Sequence, residues 1–255
     1  SNASVILSGN TVEIVIRGRE NTPDINLFIV IIRTFLAFDN VELRAIRTLY
    51  SRQNGNWNNT STWSYTAGGG SCGCTPTADH HVNISHLVTI TGSGDAVNVT
   101  IGGSGQLRYN GNHTLSIHRG GNINVASTGT INRQTYTDAN ITFTWPTLTY
   151  NVVNNGTINI GDFNIPIVAN VNFSGSGTTT IADDIVIDAA ANVSFSGNGT
   201  YTINDDFLVN SAANVSFNGV GSFSTGDDFT IGAAANITFS GSGNYTIGDD
   251  LLVNA

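Results

Sequence analysis

Four pairs of adjacent carboxylates recur at a fixed interval: Asp183-Asp184, Asp205-Asp206, Asp227-Asp228 and Asp249-Asp250, each 22 residues from the last. Paired carboxylates support two chemistries. One is capture of a hard cation such as Ca²⁺, which takes several oxygen ligands. The other is glycoside cleavage, in which two carboxyl groups flank the scissile bond. An active site needs one such pair, whereas here the pair comes four times. No Lys, Arg or His follows Arg133, so the base that a polysaccharide lyase takes from those residues is missing there. A third answer is purely structural: one Asp of each pair caps corner backbone amides and its neighbour points into salt-screened solvent.

The interval itself says what must position these residues. Asn170, Asn192, Asn214 and Asn236, and likewise Phe173, Phe195, Phe217 and Phe239, keep the same spacing of 22. A repeat of that length marks a solenoid, in which each unit buries its apolar face on the next. Within one period the apolar residues come in pairs two apart: Val193 with Phe195, Tyr201 with Ile203, Phe207 with Val209. Spacing of two puts both members on one face of a strand. Three strands separated by corners of Gly, Asn, Asp and Ala make one coil of a parallel β-helix, expected right-handed from the preference of parallel crossovers. Coils then sit about 4.8 Å apart. The Phe column fills the interior, and the Asn column turns a corner in left-handed backbone while bonding down the stack.

The chain has 255 residues, of which only 11% are charged, and a formal net charge of −9. Residues 1–133 hold nine Arg against seven acids, while residues 134–255 hold eleven Asp and no base. Sequence-independent nucleic-acid binding is excluded on that balance. Ser1-Asn2-Ala3 reads as a remnant of cloning. The apolar run 25–38, broken by Arg33, is too short to cross a bilayer, so membrane insertion is not expected. In order, residues 4–50 read as a β-rich N-terminal cap with strands near 4–8, 11–17, 26–37 and 41–50, a helix over 25–50 being the alternative. Residues 51–78 read as a connection. Residues 79–255 read as the β-helix, with irregular coils to 150, a loop over 133–149, and regular repeats from 151. The array stops partway through a repeat, and a longer protein is expected.

Other groups invite chemistry. Trp57 and Trp63 would stack on sugar rings if exposed, or plug a gap if buried. Cys72 and Cys74, near His80, His81 and His86, match no zinc spacing; a local disulfide, free thiols and a metal site all stay open. The irregular half mixes acids and bases, so Asp138 or Asp162 meeting His113, His118 or Arg133 would be the place for a carbohydrate-active enzyme. The hydroxyl column Thr180, Thr202, Ser224 and Thr246 raises ice binding, without symmetric flanking bulk to support it.

At residues 55–117 a resemblance enters. Gly55-Asn56-Trp57-Asn58, Thr62-Trp63, Pro76, Asp79, Val82-Asn83-Ile84, Val88-Thr89-Ile90, Val99-Thr100-Ile101-Gly102 and Gly105-Gln106-Leu107 resemble the opening of the eight-glycine extracellular domain family. The resemblance implies a secreted or cell-surface β-helix of a kind found in matrix-binding proteins, adhesins and some polysaccharide-degrading enzymes, and it carries no catalytic motif. The expected function is therefore a non-enzymatic surface module, a rigid stalk or adhesin that binds polysaccharide. The alternatives are a glycoside hydrolase or lyase, and a calcium-stabilised repeat module.

Overall fold

In the regular repeats the strands alternate outward with buried residues: Asn192, Val193, Ser194 and Phe195 run exposed, buried, half-buried, buried. That two-residue period leaves one face of each strand to be covered, and parallel stacking of successive strands covers it. The computed structural model describes residues 2–8, 11–17 and 46–254. Chain contacts divide it into two units, 1–47 and 48–255. In the first, Asn2–Ser8 pairs antiparallel with Thr11–Arg17 in a register that brings Ser8 opposite Thr11. The expected strand 26–37, and the start of 41–50, lie outside the described residues; the end of the latter is the strand Arg47–Ser51.

The second unit is a β-solenoid of about eight turns. Each turn contributes one strand to each of three sheets of ten, nine and eight strands. We name them from the regular repeats. The asparagine face holds Asn170–Ser174, Asn192–Phe195, Asn214–Phe217 and Asn236–Phe239. The threonine face holds Thr178–Ile181, Thr200–Ile203, Ser222–Thr225 and Asn244–Thr246. The short face holds Ile185–Ile187, Phe207–Val209, Phe229–Ile231 and Leu251–Val253. Residues 22 apart face each other across every regular coil, as Phe195 does Phe217.

Earlier coils keep the strands and vary the corners. The column Val82, Val99, Ile123, Val152, Phe173 advances by 17, 24, 29 and 21 residues before settling at 22. Two expectations change. Residues 133–149 do not simply loop out, because Asn140–Phe143 lies in the short face between Thr114–Ile117 and Phe163–Ile165. Residues 51–78 are more than a connection: Gly55–Asn56 already pairs in parallel with Val88 and Thr89 on the threonine face.

The interior is one continuous apolar column. Phe173, Phe195, Phe217 and Phe239 stack with centroids 4.9, 5.0 and 4.9 Å apart and planes within 8°. Tyr201 and Phe223 meet this stack edge-on at 5.2 and 4.7 Å. Fully burying a side chain of this size is worth about 1.5–3 kcal/mol, and edge contacts add about 0.5–1.5 kcal/mol. The left-handed corner position is not the Asn. It is the alanine two residues earlier: Ala190, Ala212 and Ala234 have φ of 57°, 58° and 56°, and Val168 takes the place at 53°.

Candidate functional site

The aspartate columns resolve into two roles. The Oδ1 atoms of Asp162, Asp184, Asp206 and Asp228 accept the backbone N–H of Asp184, Asp206, Asp228 and Asp250 at 3.2, 3.0, 3.0 and 3.0 Å. Asn140 starts this ladder, its Oδ1 accepting the Asp162 N–H at 2.9 Å while its Nδ2 donates to Asp162 Oδ2 at 3.0 Å. The second Asp of each pair thus caps the corner amide of the next coil, a strong charge-assisted bond. The first Asp of each pair, Asp183, Asp205, Asp227 or Asp249, joins no such ladder. Asp183 with Asp184 and Asp205, Asp205 with Asp206 and Asp227, and Asp227 with Asp228 and Asp249 bring carboxylate oxygens within 4.8 Å of one another. Desolvation, then repulsion from Asp183 and Asp206, holds the Asp184 carboxyl above its ordinary value despite the bond from the Asp206 amide. Asp205 is raised too, by desolvation and by Asp206 and Asp183. These triplets offer hard oxygen ligands of the kind Ca²⁺ takes, although one oxygen of each inner Asp is already committed to backbone.

The two tryptophans, for which the sequence leaves sugar stacking and gap filling both open, do not reach solvent. Trp57 is 3% and Trp63 0% exposed. Their rings meet edge-on at 5.5 Å and Trp63 Nε1 donates to the Trp57 carbonyl at 2.7 Å. The pair plugs the start of the solenoid, as an apolar group this large does wherever a coil end needs cover. Cys72 and Cys74 form a disulfide. Nearby His86 Nδ1 lies 3.0 Å from Ser51 Oγ, and His80 Nδ1 lies 2.8 Å from Thr77 Oγ1.

The mixed acids and bases of the irregular half do not converge. Asp138 accepts from Asn112 Nδ2 at 2.7 Å, and Arg133 donates to Asn159 Oδ1 at 3.1 Å and to the Tyr136 carbonyl at 2.9 Å. No hydrogen bond or ion pair among the described residues joins Asp138 or Asp162 to His113, His118 or Arg133. His118 instead links three coils, with Nε2 at 2.8 Å from Asp95 Oδ1 and Nδ1 at 2.9 Å from Thr144 Oγ1.

What the sequence pattern did not bring out is a groove on the asparagine face. It is open and shallow, about 220 Å³. Between its two sides runs the backbone of Val193 and Val215, whose side chains are buried, and one side is the column Asn170, Asn192, Asn214, Asn236. The adjoining column is Asn172, Ser194, Ser216, Thr238. Asn214 Nδ2 donates to Asn192 Oδ1 and Asn236 Nδ2 to Asn214 Oδ1, both at 3.0 Å. Each such amide spends one of its two N–H groups on the neighbour below and keeps the other, plus a free oxygen lone pair. The result is a straight row of fixed donors and acceptors, one set every coil. The Asn spacing was visible in the sequence; that two outward columns flank a trough was not, because both flanks are made by strand register.

No protein-family profile, curated protein or solved structure matches this chain.

Proposed function

We propose that this solenoid is a rigid, non-enzymatic module of a secreted or cell-surface protein, and that it holds a carbohydrate chain along its asparagine face. The observation that carries this reading is the groove between the Asn192–Asn214–Asn236 and Ser194–Ser216–Thr238 columns. A polysaccharide presents hydroxyl groups at regular intervals, and a row of half-satisfied amides and hydroxyls, fixed by their own ladder, meets them with little ordering cost. The acidic balance of the chain disfavours anionic polymers, so the expected partner is a neutral glycan. Eight coils at about 4.8 Å each give a spacer of roughly 38 Å. The Cys72–Cys74 disulfide suits an oxidising compartment, and the resemblance of residues 55–117 to secreted β-helical proteins points the same way.

The test is a glycan array probed with the native protein and with Ser194→Glu, which puts a charged, longer side chain into the trough. Retention of a neutral glycan by the native protein, lost in the variant while the melting temperature holds, is the expected result. An array without any retained glycan, or equal retention by both proteins, refutes the reading.

A further inference from the structure

We propose that the corner around Trp145 is an aromatic subsite for the same glycan, with Trp145 stacking on a pyranose ring at one end of the groove; this rests on the carbohydrate reading above.

Counted from the short face, the corners that lead to the asparagine face line up rung by rung, the one after Phe143 being a residue longer than the next. His118, Thr144, Asp188 and Asn210 donate their backbone N–H to the carbonyls of Ala96, Ile117, Ile165 and Ile187, in each case the residue before the matching position one coil back. The next position along is therefore Arg119, Trp145, Ala189 and Ser211, with Ile167 between Trp145 and Ala189. From Ala189 onward that position carries only small residues, Ala189, Ser211 and Ala233. In the two coils before, it carries Trp145 and Ile167, 49% and 53% exposed. Stacking places the two about one coil spacing apart, roughly 4.8 Å along the axis.

The chain fixes Trp145 in that position. The Tyr150 hydroxyl, on a buried side chain, accepts the Trp145 N–H at 2.9 Å and donates to the Trp145 carbonyl at 3.1 Å. Pro146 and Pro166 follow Trp145 and precede Ile167, and each locks its own φ. A buried hydroxyl is thus committed to holding one exposed tryptophan backbone, which lowers what is lost in ordering it on binding.

A polar residue, Thr144, precedes Trp145 in the chain and joins the Asp95–His118–Thr144 row, whose Asp95 side chain is 50% exposed. An exposed aromatic face fits a sugar, which has an apolar C–H face to stack on it. A protein partner fits less well, because a stable protein interface buries on the order of 1,200–2,000 Å², and two side chains on a corner cover far less. Continuity supports the same occupant. Residues 146–148 lead from Trp145 to Thr149, and Thr149 is paired with Asn170, the first groove residue of the asparagine column.

Trp145 is the one tryptophan of three that solvent reaches, so acrylamide quenching reports on it selectively. The experiment uses native gels cast with laminarin, mannan or xylan, together with acrylamide quenching in the same polysaccharides. The native protein, Trp145→Ala, Trp145→Tyr and Ser194→Glu are compared, with circular dichroism melts as a check on folding. Expected are retardation of the native protein by one polysaccharide, its loss in Trp145→Ala, its retention in Trp145→Tyr, and reduced quenching of the native protein in that polysaccharide. If Trp145→Ala migrates like the native protein while Ser194→Glu loses retardation, the groove reading stands and this inference falls. If Trp145→Ala loses retardation and Ser194→Glu does not, the subsite stands and the groove falls. Absence of retardation in all three polysaccharides with unchanged quenching overturns the subsite, as does protection of Trp145 by self-association alone.

Discussion

A Cβ added to Gly219 would lie 2.0 Å from the carbonyl oxygen of Gly197 in the coil below. No side chain fits there, and the obstacle is backbone that cannot step aside. Gly219→Ala should therefore cost about 1–3 kcal/mol, as overpacking does, and lower the melting temperature. Ala212→Gly at another corner should do the opposite or nothing. Left-handed backbone costs a residue with a Cβ roughly 1–2 kcal/mol, against which glycine adds about 0.4–1 kcal/mol of unfolded-state entropy. Melts of the two variants followed by circular dichroism check both; equal destabilisation would contradict the assignment of roles. The sequence marked these places as corners and could not tell them apart. Small residues serve both for close approach and for left-handed turns. The difference lies in the backbone: Ala190 and Ala212 have positive φ and donate their N–H to Ser211 and Ala233 in the next coil, whereas Gly219 lies against the Gly197 carbonyl of the coil below. The buried state of Trp57 and Trp63 was equally hidden, since a ring that plugs and a ring that binds have the same letter.

At the scale of the element, the Asp-Asp corner holds one carboxylate that caps the next coil's amide and one outside that ladder. Asp206→Ala leaves the Asp228 amide without its acceptor and should cost about 1–3 kcal/mol. Asp205→Asn removes repulsion and leaves the ladder intact, so its melting temperature should rise at neutral pH. The pH dependence follows from the raised carboxyls of Asp162, Asp184 and Asp205, whose ordinary value is 3.8. Between that value and their higher folded values, the native state binds more protons than the unfolded chain. Stability therefore rises as pH falls through the folded values toward 3.8, and the strain is fully present above them. A melt series from neutral to mildly acid pH should show a maximum on the acid side, diminished in Asp205→Asn. A midpoint that only falls on acidification would contradict this. The division of labour within each pair was foreseeable from chemistry, since a corner has one amide to cap. Which Asp does so was not, because that depends on which of two adjacent residues faces the next coil.

For the whole molecule, periodicity is what made the fold legible. Once Phe195 must lie over Phe217, strands, corners and columns follow together, and even in the irregular coils the apolar alternations of Val82-Asn83-Ile84 and Ile123-Asn124-Val125 fall in strands. The strand Asn140–Phe143 was missed because the corners on both sides of it are longer than those of other coils, so no fixed interval pointed to it. Stacking also spreads charge along the axis: eleven Asp with no base lie beyond residue 133, and any relief must come from solution. Two kinds of relief differ in their signature. Screening acts through ionic strength alone and weakens repulsion between exposed carboxylates over about 8–10 Å. A bound ion adds a term that grows with the logarithm of its own concentration. Because each inner Asp already serves a backbone amide, screening is the expected mechanism. Sodium chloride should raise the midpoint at neutral pH, and calcium chloride at matched ionic strength should add nothing beyond it. A further rise with millimolar Ca²⁺, reversed by chelator and absent in Asp205→Asn, would instead make the Asp183–Asp184–Asp205 triplet a genuine cation site.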